Sequence, residues 1–247
     1  ANEYGTKILN SLVENASFTY PKSLWTVYDC IYAACSDNKN ALILDFFAGS
    51  STTAHATYEL NKQDKGDRRF IMIQVAAEIP EENRKHISDF ETIADISRER
   101  IRKAAKNYED IVNDAGVRTL YLDETCFKEI FYSPDAYKQL DLMEFVSNIK
   151  EECTSEDLLF QVMIDWGLEL SLPIERKIIA EKEVFFVAGN SLVACFDVLT
   201  FDMIDEIAKV HPLRFVSAER SLLRDHDKTN IKERFKQLAP DTEVKFL

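Results

Sequence analysis

The chain has 247 residues, 46% hydrophobic and 30% charged, enough for one large or two ordinary domains, each with its own core. Its formal net charge is −13, with 43 acidic against 30 basic side chains, whereas a protein that grips nucleic-acid phosphates unaided presents a surplus of bases. No apolar run reaches the roughly 20 residues of a membrane helix, and the opening ANEYGTKILN has neither the basic nor the apolar region of a secretory leader.

Residues 1–16 predict a short helix with Ile8, Leu9, Leu12 and Val13 on one face. Next comes Phe18-Thr19-Tyr20-Pro21-Lys22-Ser23-Leu24. Pro21 fixes its own φ and pushes Tyr20 toward an extended conformation, and Ser23 is placed to cap a helix running through Trp25, Tyr28, Ile31 and Tyr32. Residues 41–59, ALILDFFAGSSTTAHATYE, then read as strand, tight turn and helix. Gly49 lets the backbone turn sharply and lets a ligand approach closely. The hydroxyls of Ser50, Ser51, Thr52 and Thr53 suit the start of a helix, whose positive end suits a carboxylate. Asp45 ends the strand and faces the same crevice, where open α/β sheets bind ligands. The composition fits a ligand that is cationic at one end and carries a carboxylate at the other.

The helix beginning at Thr52 carries small residues that let it lie close to a sheet, and the lone His55 within it reads as a packing or surface residue. After a polar turn, residues 69–75, RFIMIQV, form a continuous apolar run of the kind found in buried parallel strands, completing a β-α-β unit. By analogy with dinucleotide folds an acid at the end of that second strand takes ribose hydroxyls; Glu78 is the candidate, with Gln74 nearby. Lys65 with Arg68 and Arg69, and Arg98 with Arg100, Arg102 and Lys103, are interleaved with acids and read as solvated surface.

Residues 79–90 are charged and predict an exposed loop or helix, and IADISRERIRKAAKNYEDIV from residue 92 onward predicts an amphipathic helix buried along Ile93, Ile96, Ile101, Ala104 and Ala105. Gly116 breaks it, and residues 117–122 predict a third strand. The polar, acidic stretch 133–155 reads as a joint, giving units 1–148 and 149–247. In the second, residues 158–170 predict a helix, 184–187 and 192–196 a hairpin, 202–210 a helix, 213–217 a strand, 229–238 a helix and 243–247 a strand. That unit has no phosphate loop, and Asp225 with Asp227 reads as a turn rather than a metal site. Cys30, Cys35, Cys126, Cys153 and Cys195 show no C-x-x-C spacing and predict reduced cytoplasmic thiols, neither a disulfide framework nor a zinc site.

Asp45-Phe46-Phe47-Ala48-Gly49-Ser50-Ser51-Thr52-Thr53 resembles the D-x-F-x-G-S-G-T-T motif with which amino-DNA methyltransferases bind S-adenosyl-L-methionine (AdoMet), Ser51 standing where that family commonly has a second glycine. The Phe18 to Ser23 segment, about 20 residues earlier, resembles the F-x-x-P-K-P/S element that precedes this motif in the β-class permutation, which implies that Pro21, Lys22 and Ser23 line the far side of the cofactor pocket. The I-A-D-I-x-x-E-R-I-R run and the Leu122, Asp123, Phe127 ending resemble the Mod methyltransferase subunits of type III restriction-modification systems.

The resemblance implies a partial Rossmann-like AdoMet-dependent methyltransferase sheet followed by a smaller α/β C-terminal domain. Its cofactor residues would be Pro21, Lys22, Ser23, Asp45, Phe46, Phe47, Ala48, Gly49, Thr52, Gln74 and Glu78. It implies methylation of adenine N6 in DNA in the cytoplasm, without a metal and without a membrane partner. Such enzymes need a D/N/S-P-P-Y/F/W loop to orient the amine and stack a flipped-out base. That tetrapeptide is not in this sequence; Ser133-Pro134-Asp135-Ala136-Tyr137 comes nearest. In the β-class order the catalytic loop and target-recognition region precede these motifs, so the chain reads as the C-terminal part of a longer protein, holding no catalytic residue of its own and meeting DNA through the missing part. A second Mod chain and a Res-type nuclease-helicase subunit are the implied partners. Two other classes remain open: an assembly or dimerisation module of the same complex, and a nucleotide-binding oxidoreductase, although G-x-G-x-x-G is absent.

Overall fold

The computed structural model describes residues 2–14, 16, 18–79, 90–110, 112, 114–128, 148–224 and 226–247. The chain divides into two compact units, Ala1–Tyr121 and Leu122–Leu247. Most of the joint read at 133–155, the charged segment after residue 79, the Ser133 to Tyr137 segment and Asp225 lie outside the described residues.

In the first unit, α1 (Asn2–Leu12) and α2 (Leu24–Cys35) precede β1 (Leu42–Asp45), α3 (Thr52–Asp64), β2 (Arg69–Met72) and α4 (Ile93–Lys106). β1 and β2 pair in parallel, Leu42 opposite Arg69 and Asp45 opposite Met72, with α3 as the crossover. This is the predicted β-α-β unit. The crossover helix is enclosed by its neighbours: Ala56 and Leu60 pack on Leu24 and Ile31 of α2, while Ala54 and Tyr58 pack on Ile101 and Ala104 of α4. A helix covered all round needs small residues rather than one apolar stripe, and TTAHATYEL supplies them. α4 starts with a capping box in which Thr92 and Asp95 exchange side-chain and backbone hydrogen bonds.

The two-stranded sheet is covered on one face. Ile43, Phe70 and Met72 pack into the helices, whereas Leu42, Leu44, Ile71 and Ile73 are each between 44 and 55% exposed. The strand expected at 117–122 does not form; Leu120, Tyr121 and Leu122 lie exposed and outside any ladder. Apolar and β-branched content alone does not make a strand, because strand preference depends on sheet context.

The second unit is a mixed five-stranded sheet in the order β3 (Ile174–Ile179), β4 (Lys182–Val187), β5 (Leu192–Ala194), β6 (Arg214–Ser217), β7 (Glu243–Phe246). β3, β4 and β5 are antiparallel; β5, β6 and β7 are parallel. Side chains alternate across it. Phe185, Val187, Leu192 and Val216 meet α5 (Ser155–Asp165) on one face, while Val184, Phe186, Val193 and Phe215 meet α6 (Phe201–Ala208) and α7 (Asp227–Leu238) on the other. The unit is thus a three-layer α/β/α sandwich, in agreement with the second α/β unit read from the sequence. β3 is an addition to that reading.

Two further expectations are corrected. Cys126 and Cys153 are joined by a disulfide, with Cα atoms 5.8 Å apart. Arg68 and Arg100, read as surface, are 3% and 0% exposed. Arg68 pairs with Asp64 at 2.9 Å and donates to the carbonyls of Cys35 and Ser36, closing the C-terminal end of α2.

Candidate cofactor site

β1 ends at Asp45, whose carboxylate organises the turn that follows. Its Oδ1 accepts from the Phe47 N–H at 3.1 Å and its Oδ2 from the Thr53 hydroxyl at 2.6 Å. The turn is tied to β2 by Ala48 N–H to the Ile73 carbonyl at 3.1 Å and by Gly49 N–H to Gln74 Oε1 at 2.8 Å. The loop therefore rests on the carboxyl ends of both strands, the place where open α/β sheets receive ligands.

Gly49 has φ +55°, a region that favours glycine, and a Cβ there would lie 3.4 Å from the Phe18 ring. Phe18 thus brings the start of the proline-containing segment against the glycine turn. Farther along that segment, Pro21 is buried, and a Cβ on Gly5 of α1 would sit 2.2 Å from its carbonyl oxygen, so only glycine permits the approach. Lys22 is exposed, and Ser23 precedes α2 in extended conformation without a side-chain cap bond.

Asp45, Phe47, Gly49 and Gln74 are brought together by direct hydrogen bonds. Ala48 is buried, Phe46 and Phe47 are 61% and 89% exposed, and Thr52 is buried beneath the loop. Glu78 is exposed and forms an isolated β-bridge with Thr92 ahead of α4. Ser51 adopts φ +53°, ψ +44°, the left-handed conformation natural to a glycine, and its hydroxyl bonds Ser97 of α4 instead of capping α3.

Behind the loop lies a buried polar layer between α3 and α4. Arg100 Nη1 donates to the Ser50 carbonyl at 3.2 Å, Ser50 Oγ at 3.0 Å and Thr52 Oγ1 at 2.7 Å. Burial pulls its pKa down to about 10, so it stays charged at neutral pH. His55 Nε2 meets the Tyr108 hydroxyl at 3.3 Å, and that hydroxyl donates to Glu59 at 2.7 Å. Burial, reinforced by the Arg100 charge, lowers the His55 pKa to about 4. Sequence reasoning placed Thr53 only among the hydroxyls at the helix start, without its bond to Asp45, and read Arg100 as surface. The signal for Arg100 was present: it falls four residues after Ile96 and four before Ala104, on the same helix face.

The comparisons with known proteins converge on this unit. The DNA methylase family (N6_N4_Mtase) matches residues 3–106, and over that stretch the chain is Mod-like, a relative of the DNA methyltransferases. It is 36% identical over 105 residues to the type III restriction-modification enzyme StyLTI Mod subunit of Salmonella typhimurium, covering 42% of this chain and 16% of that one. It is 36% identical over 93 residues to the EcoP15I Mod subunit of Escherichia coli, covering 38% and 14%. The type II methyltransferase M.KpnI of Klebsiella pneumoniae is 39% identical over 105 residues, 42% of this chain and 24% of the relative. The chain therefore spans between one seventh and one quarter of the length of these relatives.

Proposed function

We propose that the first unit is the AdoMet-binding part of a DNA adenine-N6 methyltransferase of the type III Mod kind, a partial Rossmann-like sheet completed by other parts of the protein. The observation that carries this reading is the turn at Gly49, held on the ends of β1 and β2 by Asp45 and Gln74 with its backbone in the left-handed region. The residues fit the cofactor. Gly49 admits close approach, the first turn of α3 is not capped by its Ser51 side chain, and two exposed aromatic rings flank the turn.

AdoMet, when bound, supplies an electrophilic methyl group on a sulfonium. The α3 N-terminus would receive its carboxylate, Glu78 and Gln74 would take the ribose hydroxyls, and Phe46 and Phe47 would border the adenine. Pro21, Lys22 and Ser23 would line the opposite wall. These residues bind and orient; rate is gained from in-line placement of methyl and amine rather than from a protein nucleophile. The half-exposed apolar face of β1 and β2 supports the partial-sheet reading, because parallel strands are normally covered on both faces. The catalytic loop, the target-recognition region and hence contact with DNA would come from the remainder of the protein. A second Mod chain and a Res-type nuclease-helicase subunit are the proposed partners. No helix among the described residues is long and apolar enough to cross a membrane, and the proposed compartment is the cytoplasm.

Calorimetry on the purified chain tests this reading. Heat of binding with AdoMet, none with NADH, and an affinity weakened at least about tenfold by Gly49→Val is the expected result. Preference for NADH, or AdoMet affinity indifferent to Gly49→Val, overturns it.

A further inference from the structure

Arg100 is an anomaly in the first unit. It lies in the middle of α4, is 0% exposed, and its Nε and Nη2 have no hydrogen-bond partner among the described residues. Nor does any acid among them form an ion pair with it. The carboxylates nearby are engaged elsewhere: Asp45 by Thr53 and the Phe47 amide, Glu59 by Tyr108 and Lys62. A guanidinium taken out of water without a counter-anion is an unfavourable arrangement in a folded protein. His55 Nδ1, also buried and unpartnered, adds a neutral acceptor at neutral pH and no negative charge.

The hydrogen bonds that Arg100 does make have a directional consequence. Nη1 fills acceptor positions on Ser50 Oγ and Thr52 Oγ1, so each hydroxyl is left to donate its own hydrogen elsewhere. Ser51, the residue preceding α3, directs its hydroxyl to Ser97 and leaves the first-turn N–H groups without a side-chain acceptor. Three kinds of donor therefore gather at the buried start of a 13-residue helix: two hydroxyls whose acceptor positions are used by a cation, backbone amides without a side-chain cap, and the spare guanidinium hydrogens. No carboxylate among the described residues pairs with the guanidinium there. Two independent features, the uncapped helix end and the unpartnered buried cation, point to the same missing group.

We propose that Arg100 is a positioning residue that presets loop 50–52 to receive a carboxylate, that of the amino-acid end of AdoMet. This rests on the cofactor reading above and deepens it. Arg100 acts through Ser50 and Thr52: it fixes which way their hydroxyls donate and supplies the positive charge behind them. One nitrogen, Nη1, reaches the Ser50 carbonyl and both hydroxyls, which leaves Nε and Nη2 of the rigid fork as further donors that a lysine ammonium would not hold in the same plane.

The test compares AdoMet with its decarboxylated counterpart on the full chain by calorimetry. The wild-type chain should bind AdoMet at least about tenfold more tightly than the decarboxylated compound. Arg100→Gln should reduce that ratio to within about threefold while leaving affinity for the decarboxylated compound nearly unchanged, and Arg100→Lys should restore part of the ratio. A residue that merely held the fold together would weaken both ligands alike. Should Arg100→Gln fail to fold, Thr52→Val and Ser50→Ala retain the buried charge and carry the same comparison. An unaltered ratio in the folded variants overturns the role of Arg100. Equal binding of the two compounds by the wild type overturns the carboxylate assignment and leaves the cofactor reading standing; binding of neither removes the cofactor reading and this inference with it.

Discussion

Asp45 and Thr53, eight residues apart, are joined by a 2.6 Å hydrogen bond that folds the first turn of α3 back onto the end of β1. The same carboxylate accepts from the Phe47 amide, so one side chain sets both the start and the close of the glycine turn. Thr53→Val keeps the shape and removes the donor. We expect a loss of about 1.5 kcal/mol in unfolding free energy, the scale of a hydrogen bond to a charged group. AdoMet affinity should fall with it, whereas Thr53→Ser should retain both. Denaturant titration with parallel calorimetry reads the two effects.

His55 makes the first unit sensitive to mild acid. Its folded pKa of about 4 lies below the ordinary 6.5, so between those values the unfolded chain binds a proton that the folded chain refuses. Stability is therefore complete above pH 6.5 and falls as pH drops toward 4, by up to about 3 kcal/mol from this group. His55→Gln should flatten that part of the profile. Chemical denaturation at a series of pH values checks it, and a profile equally steep in the variant contradicts it.

The Asp64 and Arg68 pair should contribute in a separate, more acidic window. Hydrogen bonding to Arg68 holds the Asp64 carboxyl below its usual range, so its contribution is present above the unfolded pKa and lost as pH falls through the folded one. Arg68→Met leaves Asp64 with the Gly66 amide but without its ion-pair partner, and uncovers the carbonyls of Cys35 and Ser36. The expected cost is about 3 kcal/mol. A melting temperature that does not move would show that the pair contributes nothing net.

Ser51 occupies left-handed backbone in exchange for its contact with Ser97. In a Ser97→Ala background the contact is gone and the strain remains. There Ser51→Gly should raise stability by about 1 kcal/mol, while in the wild-type background the lost hydrogen bond should offset much of that gain. A double-mutant cycle separates the two contributions.

Much of the fold was legible because its signals are local. An apolar run ending at Asp45, a glycine, a row of hydroxyls and a second apolar run specify β-α-β almost without tertiary help, and Ala188 and Gly189, both at positive φ, make the turn between β4 and β5. β3 escaped because it is an edge strand with Glu175, Arg176 and Lys177 in succession, and because its turn uses Ala180 and Glu181 at positive φ rather than glycine or asparagine. Residues 117–122 had strand composition but join no ladder among the described residues. The Cys126 to Cys153 bond joins residues 27 apart, a pairing that spacing does not encode. At the site, Asp45, Gly49 and Gln74 were readable because they sit at strand ends, where topology fixes the direction of the crevice. Arg68 was not, because a buried cation looks like a surface one until the carbonyls it serves are in place, and Arg100 was read with its charged neighbours in the chain although its spacing puts it on the buried face of α4.

The central claim is that the turn between β1 and α3 is where AdoMet binds. Backbone amide NMR on the isotopically labelled chain, recorded as AdoMet is added, tests it residue by residue. The account predicts saturable shifts concentrated at Phe47 to Thr53, with Lys22 and Gln74 among the next most affected. Shifts confined to the second unit, or a spectrum unchanged by saturating AdoMet, would contradict it.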